Sequence, residues 1–223
     1  MNQFWIVGTD TEIGKTYVTT LLMRQLQLSG KKVRPYKPIQ TGEIVKAGQR
    51  YYEDTESYKK FSLEYLAEES LNTYSFALAA SPHYAAHLEG VEIKKEKIIA
   101  TIQTFSKEEF LICEGAGGLF VPLHMNEETT LLDIIECSKL PVIVVTHTKL
   151  GTINHTLLTM EALNTRSIPI LGIVYNQYEQ TAMEDNNIAT MRRFIRKPSI
   201  VLEANRTIES YDEEPIFEGW VFE

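Results

Sequence analysis

Positive charge is in short supply in this chain. Twenty-two lysines and arginines stand against 30 aspartates and glutamates, a formal net charge of −8. A general nucleic-acid binder needs a basic face to offset phosphate, so that class is excluded, while a local basic site for a small anion is not. Cysteine is nearly absent: Cys113, in an apolar run, and Cys137, beside a polar turn, are too few for a disulfide framework and read as free thiols. No apolar run approaches the roughly 20 residues of a membrane span. The N-terminal "MNQFWIVG" has no basic segment followed by a long apolar one, so no signal peptide is expected and the expected location is the cytoplasm. Internal repeats and low-complexity tracts are missing as well. The rest, 43% hydrophobic and 23% charged, is ordinary for a globular protein, and the length suits one domain over residues 1–223.

Short apolar, β-branched runs recur: "FWIV" (4–7), "VRPYKPI" (33–39), "FLIC" (110–113), "PVIVVT" (141–146), "ILGIVYN" (170–176) and "SIVL" (199–202). Their continuous character predicts strands buried on both faces of a parallel sheet. Between them, Val18, Leu21, Leu22 and Leu26 follow helix spacing up to a stop at Gly30, and "TLLTMEAL" (156–163) reads the same way. Alternating strand and helix signals predict a doubly wound α/β fold, a mostly parallel sheet flanked by helices. Residues 43–105 read as helices with loops, "KKEK" (94–97) as a solvated helix face, and the acidic, aromatic tail 209–223 carries no clear element.

"GTDTEIGKT" (8–16) falls between a strand and a helix, where a phosphate loop belongs. Its glycines are one residue further apart than in G-x-x-x-x-G-K-[ST]. Backbone N–H groups at the helix start would face an anion, Gly14 would allow close approach, Lys15 would add a point charge and the Thr16 hydroxyl could ligate Mg²⁺. Lys37 in "YKPIQTG" (36–42) is either surface decoration or a second cation at the sheet's carboxyl edge, with the Thr41 hydroxyl nearby. In "CEGAGGLFVPL" (113–123), Glu114 ends an apolar run where phosphate-loop enzymes place a carboxylate near Mg²⁺, and the glycines after it free backbone N–H groups for a ligand; a tight turn with an exposed glutamate is the alternative. Asp54 by itself reads as a helix cap. Gly151, Thr152 and Asn154 precede or open a helix and could hold an anion or simply cap it. Asn176, at a strand end, could read a base edge or be an ordinary turn residue. His83 and His87 are four apart, but no third ligand follows at zinc spacing.

Taken together, these stretches resemble the dethiobiotin synthetases. The likeness runs from about residue 3 to 177 through "GTDTEIGKT", "YKPIQTG", Asp54, "SPH" (81–83), "EGAGGLFVPL", "KLGTINH" (149–155) and Asn176, in that order. The longer gap in the phosphate loop is itself a trait of that family, whose fold is that of the P-loop NTPases. The resemblance implies that 7,8-diaminopelargonate takes up CO₂ (or bicarbonate) as a carbamate, that ATP phosphorylates it, and that ring closure yields dethiobiotin. It implies that Thr16, Asp54 and Glu114 hold Mg²⁺, that Lys15, Lys37, Thr11 and Glu12 act in catalysis, and that Thr41 bonds the carbamate. It further implies that Glu12, Ile13, Gly14, Lys15, Thr16, Tyr17, Asp54, Glu114, Gly115, Ala116, Gly117 and Asn176 contact the nucleotide. The substrate carboxylate would meet Gly151, Thr152 and Asn154 from a partner subunit, across a homodimer interface. Asp10 reads as bracing its own loop. The chain departs from many members in lacking a G-x-x-P segment within "KPSIVLEANRTIES" (197–210), which leaves the preferred base open. Two related classes remain as alternatives. Partitioning ATPases carry a lysine where Asp10 stands, and amide-forming synthetases of cofactor biosynthesis need a glutaminase domain that this length does not accommodate.

Overall fold

The apolar runs become strands because successive residues turn to opposite faces and both faces are covered. The computed structural model describes residues 2–217 and 220. In chain order it contains β1 (Gln3–Gly8), α1 (Lys15–Leu28), β2 (Val33–Thr41), β3 (Ile44–Lys46), β4 (Gln49–Tyr51), α2 (Glu53–Phe61), β5 (Asn72–Phe76), α3 (Pro82–Leu88) and α4 (Lys95–Thr104). It continues with β6 (Phe110–Gly118), α5 (Leu131–Ser138), β7 (Val142–His147), α6 (Thr152–Thr165), β8 (Ile170–Tyr178), α7 (Ala182–Ile195) and β9 (Ser199–Glu203). Seven strands form one parallel sheet in the order β5-β2-β6-β1-β7-β8-β9, as the alternating signals predict.

Each central strand feeds two cores. On one face Phe4 and Ile6 of β1, Ile112 of β6 and Val145 of β7 pack with Val18, Leu21, Leu22 and Leu26 of α1 and with Tyr58 of α2. On the other, Trp5, Val7, Cys113 and Val144 pack with residues of the later helices, among them Ile98, Ile102, Leu132, Met160 and Met191. Cys113 is buried and Cys137 exposed, both free. Among the described residues no helix is long and apolar enough to cross a membrane.

The stretch read as helices with loops needs correction. Residues 43–105 also hold the hairpin β3–β4 and β5, an edge strand paired with β2 from Lys37↔Asn72 to Thr41↔Phe76. "NTYSF" escapes the apolar-run signal because only Tyr74 and Phe76 are buried, and an edge strand tolerates polar residues. In the tail, residues 208–211 form a turn of 3₁₀ helix, while 218, 219 and 221–223 lie outside the described residues.

That tail is tied back to α1. Arg24 Nε and a terminal nitrogen each lie 2.6 Å from the two Asp212 oxygens, and Gln25 Nε2 donates to the carbonyls of Tyr211 and Glu214. The hydrogen bond from Arg24 holds the Asp212 carboxyl below the usual aspartate range. A carboxyl whose folded value is depressed adds stability above the unfolded value, near 3.9, and loses it as pH falls through the folded one. Arg24→Met should therefore cost about 1 kcal/mol at neutral pH by urea unfolding, with the gap to the native chain closing below about pH 4.

Candidate active site

The phosphate loop is shaped by what grips its carbonyls. Gly14, left-handed at φ 83°, ends the loop and opens α1 without a side-chain cap, leaving the first turn's N–H groups to face a ligand. Asn176 Nδ2 donates to the Ile13 carbonyl at 2.9 Å and Gln177 Nε2 to the Glu12 carbonyl at 3.0 Å, both from the end of β8. Glu12 itself sits at φ 59°, a left-handed conformation uncommon outside glycine. Asp10 Oδ1 accepts the Thr11 N–H at 2.7 Å, the bracing role expected of it. At Gly8 a Cβ would come within 2.9 Å of the Asp10 carbonyl and the Lys15 stem, so the first glycine is required for space.

Under this loop the candidate residues converge. Lys37 does not decorate the surface. It lies inside β2, buried, with its ammonium 2.6 Å from Glu114 Oε1 and 2.7 Å from Asp54 Oδ2. Thr16 Oγ1 lies 2.5 Å from Asp54 Oδ1 and 2.7 Å from Glu114 Oε1. Asp54 is the second residue of α2 and caps nothing; its side chain turns to Thr16 and Lys37. Glu114 is fully buried within β6, which runs on through the glycines to Gly118, so the exposed-turn reading does not hold. Tyr58, one turn after Asp54, donates its hydroxyl to Glu114 Oε2. Among the described residues Lys15 Nζ bonds a neutral acceptor, the Asp10 carbonyl at 2.8 Å.

The electrostatics follow from these contacts. Burial and then the neighbouring Lys37 pull Lys15 down to about 8. Burial also opposes the charge on Lys37, but Glu114 and Asp54 outweigh it and hold that ammonium above the ordinary lysine value. Burial would raise Asp54, yet Lys37 and the Thr16 hydrogen bond keep it ionised below its usual range. Burial, then the Glu114 and Asp54 charges, push the Tyr58 phenol well above its usual value, so it stays a donor.

This oxygen set suits a small hard cation. One hydroxyl proton on Thr16 cannot serve both carboxylates it touches, so one contact sets oxygen against oxygen, eased here by the Lys37 ammonium beside both carboxylates. Two carboxylates and one hydroxyl are what Mg²⁺ takes from a protein when phosphate and water complete its octahedron. Among the described residues no group of three or more His, Cys, Asp or Glu is placed to hold a metal by itself. His83 and His87 instead line, with His124, a shallow depression of about 230 Å³.

Thr41 ends β2, half-buried, four residues past Lys37. Gly151, Thr152 and Asn154 are not brought to it. They lie beyond the end of β7, with β6 and β1 between that strand and β2. There Gly151 is left-handed at φ 95° and no side chain caps α6; Thr152 bonds the His147 carbonyl at 2.5 Å instead. Thr11 lies over the glycine segment, its hydroxyl 3.6 Å from where a Gly117 Cβ would stand.

A family model described as an AAA domain matches residues 2–217. A protein of Lysinibacillus sphaericus named ATP-dependent dethiobiotin synthetase BioD is 52% identical over 224 residues, covering 100% of this chain and 96% of that one. The chain belongs to the dethiobiotin synthetase family. It is an ATP-dependent ligase of biotin biosynthesis. A relative of the same name from Fusobacterium nucleatum is 37% identical, covering 95% of each chain. Among solved structures, the Pyrococcus furiosus cell division ATPase MinD aligns with a TM-score of 0.55 at 16% identity, over 97% of this chain and 89% of its own. A nucleotide-binding protein from Archaeoglobus fulgidus in complex with ADP aligns with a TM-score of 0.54 at 13% identity, over 100% of this chain and 93% of its own. These two share the P-loop NTPase fold, and at such identity nothing finer.

Three contributors to this dethiobiotin synthetase site went unread in the sequence. Tyr58 and Gln177 act through side-chain hydrogen bonds that leave no motif. The third is Arg206, whose carbonyl takes the Tyr17 hydroxyl at 2.8 Å and whose guanidinium lies 3.7 Å from the centre of the Tyr211 ring, within the stretch that lacks G-x-x-P. Gly14→Ala tests the grip on the loop. The added methyl would be strained at φ 83° and would collide with the Asn176 amide. It should cost about 1–3 kcal/mol by denaturant unfolding and weaken ADP binding at least tenfold by calorimetry.

Proposed function

We propose that this ligase joins CO₂ to 7,8-diaminopelargonate and closes the ureido ring of dethiobiotin with ATP. One amine, as its carbamate, attacks the γ-phosphorus, and ADP departs. The second amine attacks the carbon of the resulting carbamic–phosphoric anhydride, loses a proton, and expels phosphate. The observation that carries this reading is the Lys37 ammonium, buried against Asp54 and Glu114 beside Thr16.

The central difficulty is that a carbamate and a triphosphate, both anionic, must meet. Lys15 and the loop N–H groups hold the phosphates, while Lys37 offsets charge on the carbamate and the transferring phosphoryl group, a preorganised role. Thr16, Asp54 and Glu114 would hold Mg²⁺, which would neutralise phosphate charge when bound. Thr41 hydrogen-bonds the carbamate. Glu12, carried by the loop and exposed, receives a proton from the diamine, with Thr11 beside it. Ile13, Gly14, Tyr17 and the run Gly115, Ala116 and Gly117 line the nucleotide, and Asn176 reads the base. The uncapped start of α6 at Gly151, Thr152 and Asn154 takes the substrate carboxylate from a second subunit. Exposed Leu150 and Leu158 beside it support a homodimer.

The reaction is tested by phosphate release from Mg·ATP and bicarbonate with and without the diamine. Release should require the diamine and match dethiobiotin formed. Hydrolysis indifferent to the diamine would contradict the proposal. In the same assay Lys37→Gln should lower kcat by about 10²–10³-fold, and Glu12→Gln should lower turnover. Full activity of the Glu12 variant at every pH would remove Glu12 from the mechanism.

A further inference from the structure

Helix α2 is short and mostly solvated, with only Thr55 and Tyr58 buried among its nine residues. Asp54 and Tyr58, four apart, share one face. That face meets Glu114 twice. Asp54 reaches it through Thr16 and Lys37, and Tyr58 reaches it directly.

The two oxygens of Glu114 are used unequally. Oε1 takes Thr16 and Lys37, and Oε2 takes Tyr58. The last torsion of a glutamate is broad and nearly two-fold, so the bond on Oε2 adds a restraint on the carboxylate plane that the contacts on Oε1 alone do not supply. A buried hydroxyl costs free energy unless it is bonded, and a phenylalanine would join the same apolar cluster without that cost. A tyrosine here makes sense by its bond to the carboxylate.

We propose that Tyr58 is a positioning residue of the metal site: its hydroxyl holds Glu114 with Oε1 turned to the cation, and its burial seats α2 so that Asp54 faces the same point. The proposal rests on the reading that Thr16, Asp54 and Glu114 hold the metal. Partners of ligating carboxylates commonly change metal affinity by about 10–100-fold when removed.

The test is Tyr58→Phe in the full chain, with Mn²⁺ as the probe, titrated in the presence of ADP and followed by electron paramagnetic resonance. Mn²⁺ affinity should fall about 10–100-fold, while metal-free ADP binding stays close to native and the variant remains folded with its melting temperature lowered by only a few degrees. Equal Mn²⁺ affinity in native and variant chains would overturn the proposal alone. So would a parallel loss of metal-free ADP binding, or failure of the variant to fold, either of which would make the hydroxyl a general prop. A native chain that binds no Mn²⁺ with ADP would overturn the metal reading and this proposal with it.

Discussion

The molecule is organised around a charge imbalance below its phosphate loop. Lys37 is held by two carboxylates, whereas Lys15 Nζ meets the neutral Asp10 carbonyl at 2.8 Å. Burial opposes both charges, and at Lys37 the carboxylates outweigh it. Buried ion pairs seldom stabilise a fold, because desolvation offsets their attraction. Under the proposed function, incoming phosphates would supply negative charge beside Lys15, and a cation at Thr16, Asp54 and Glu114 would relieve the carboxylates that Lys37 now serves.

The sheet makes that arrangement rigid. β1, β6 and β2 are neighbours, so Glu114 within β6 and Lys37 within β2 are brought together beneath the loop that follows β1. β5 buttresses β2, starting its pairing opposite Lys37. From the other side β8 grips the loop through Asn176 and Gln177. The extra loop residue presents two consecutive carbonyls, of Glu12 and Ile13, to those two amides. Of the two acids in "GTDTEIGKT", Asp10 braces the loop and lies 3.7 Å from His155 of α6, while Glu12 is exposed and, among the described residues, forms no ion pair.

Much of this was legible in the sequence, for identifiable reasons. Strands buried on both faces must be apolar throughout, so "FWIV", "FLIC" and "PVIVVT" announce themselves. Lys15 and Thr16 are fixed by local motif and Glu114 by its place at the end of an apolar run. β5 was hidden because an edge strand needs no apolar run. Tyr58 was hidden because its partner is 56 residues away, and a single tyrosine carries no spacing. Asp54 read locally as a cap, since only the fold reveals that its helix packs on α1 and β2 and turns the carboxylate to Thr16 and Lys37. The region that lacks G-x-x-P shows a different construction, with Tyr17 bonded to the Arg206 backbone and Arg206 set against Tyr211.

The central claim is that the cluster brings a carbamate oxygen onto the transferred phosphorus. Isotope tracing reads that bond directly. With freshly added ¹⁸O-labelled CO₂, Mg·ATP and the diamine, the account predicts that each phosphate released carries one oxygen from CO₂, detected by mass spectrometry before the label exchanges with water. Phosphate that draws its new oxygen from water instead would mean that the site hydrolyses ATP without activating a carbamate, and would contradict the account.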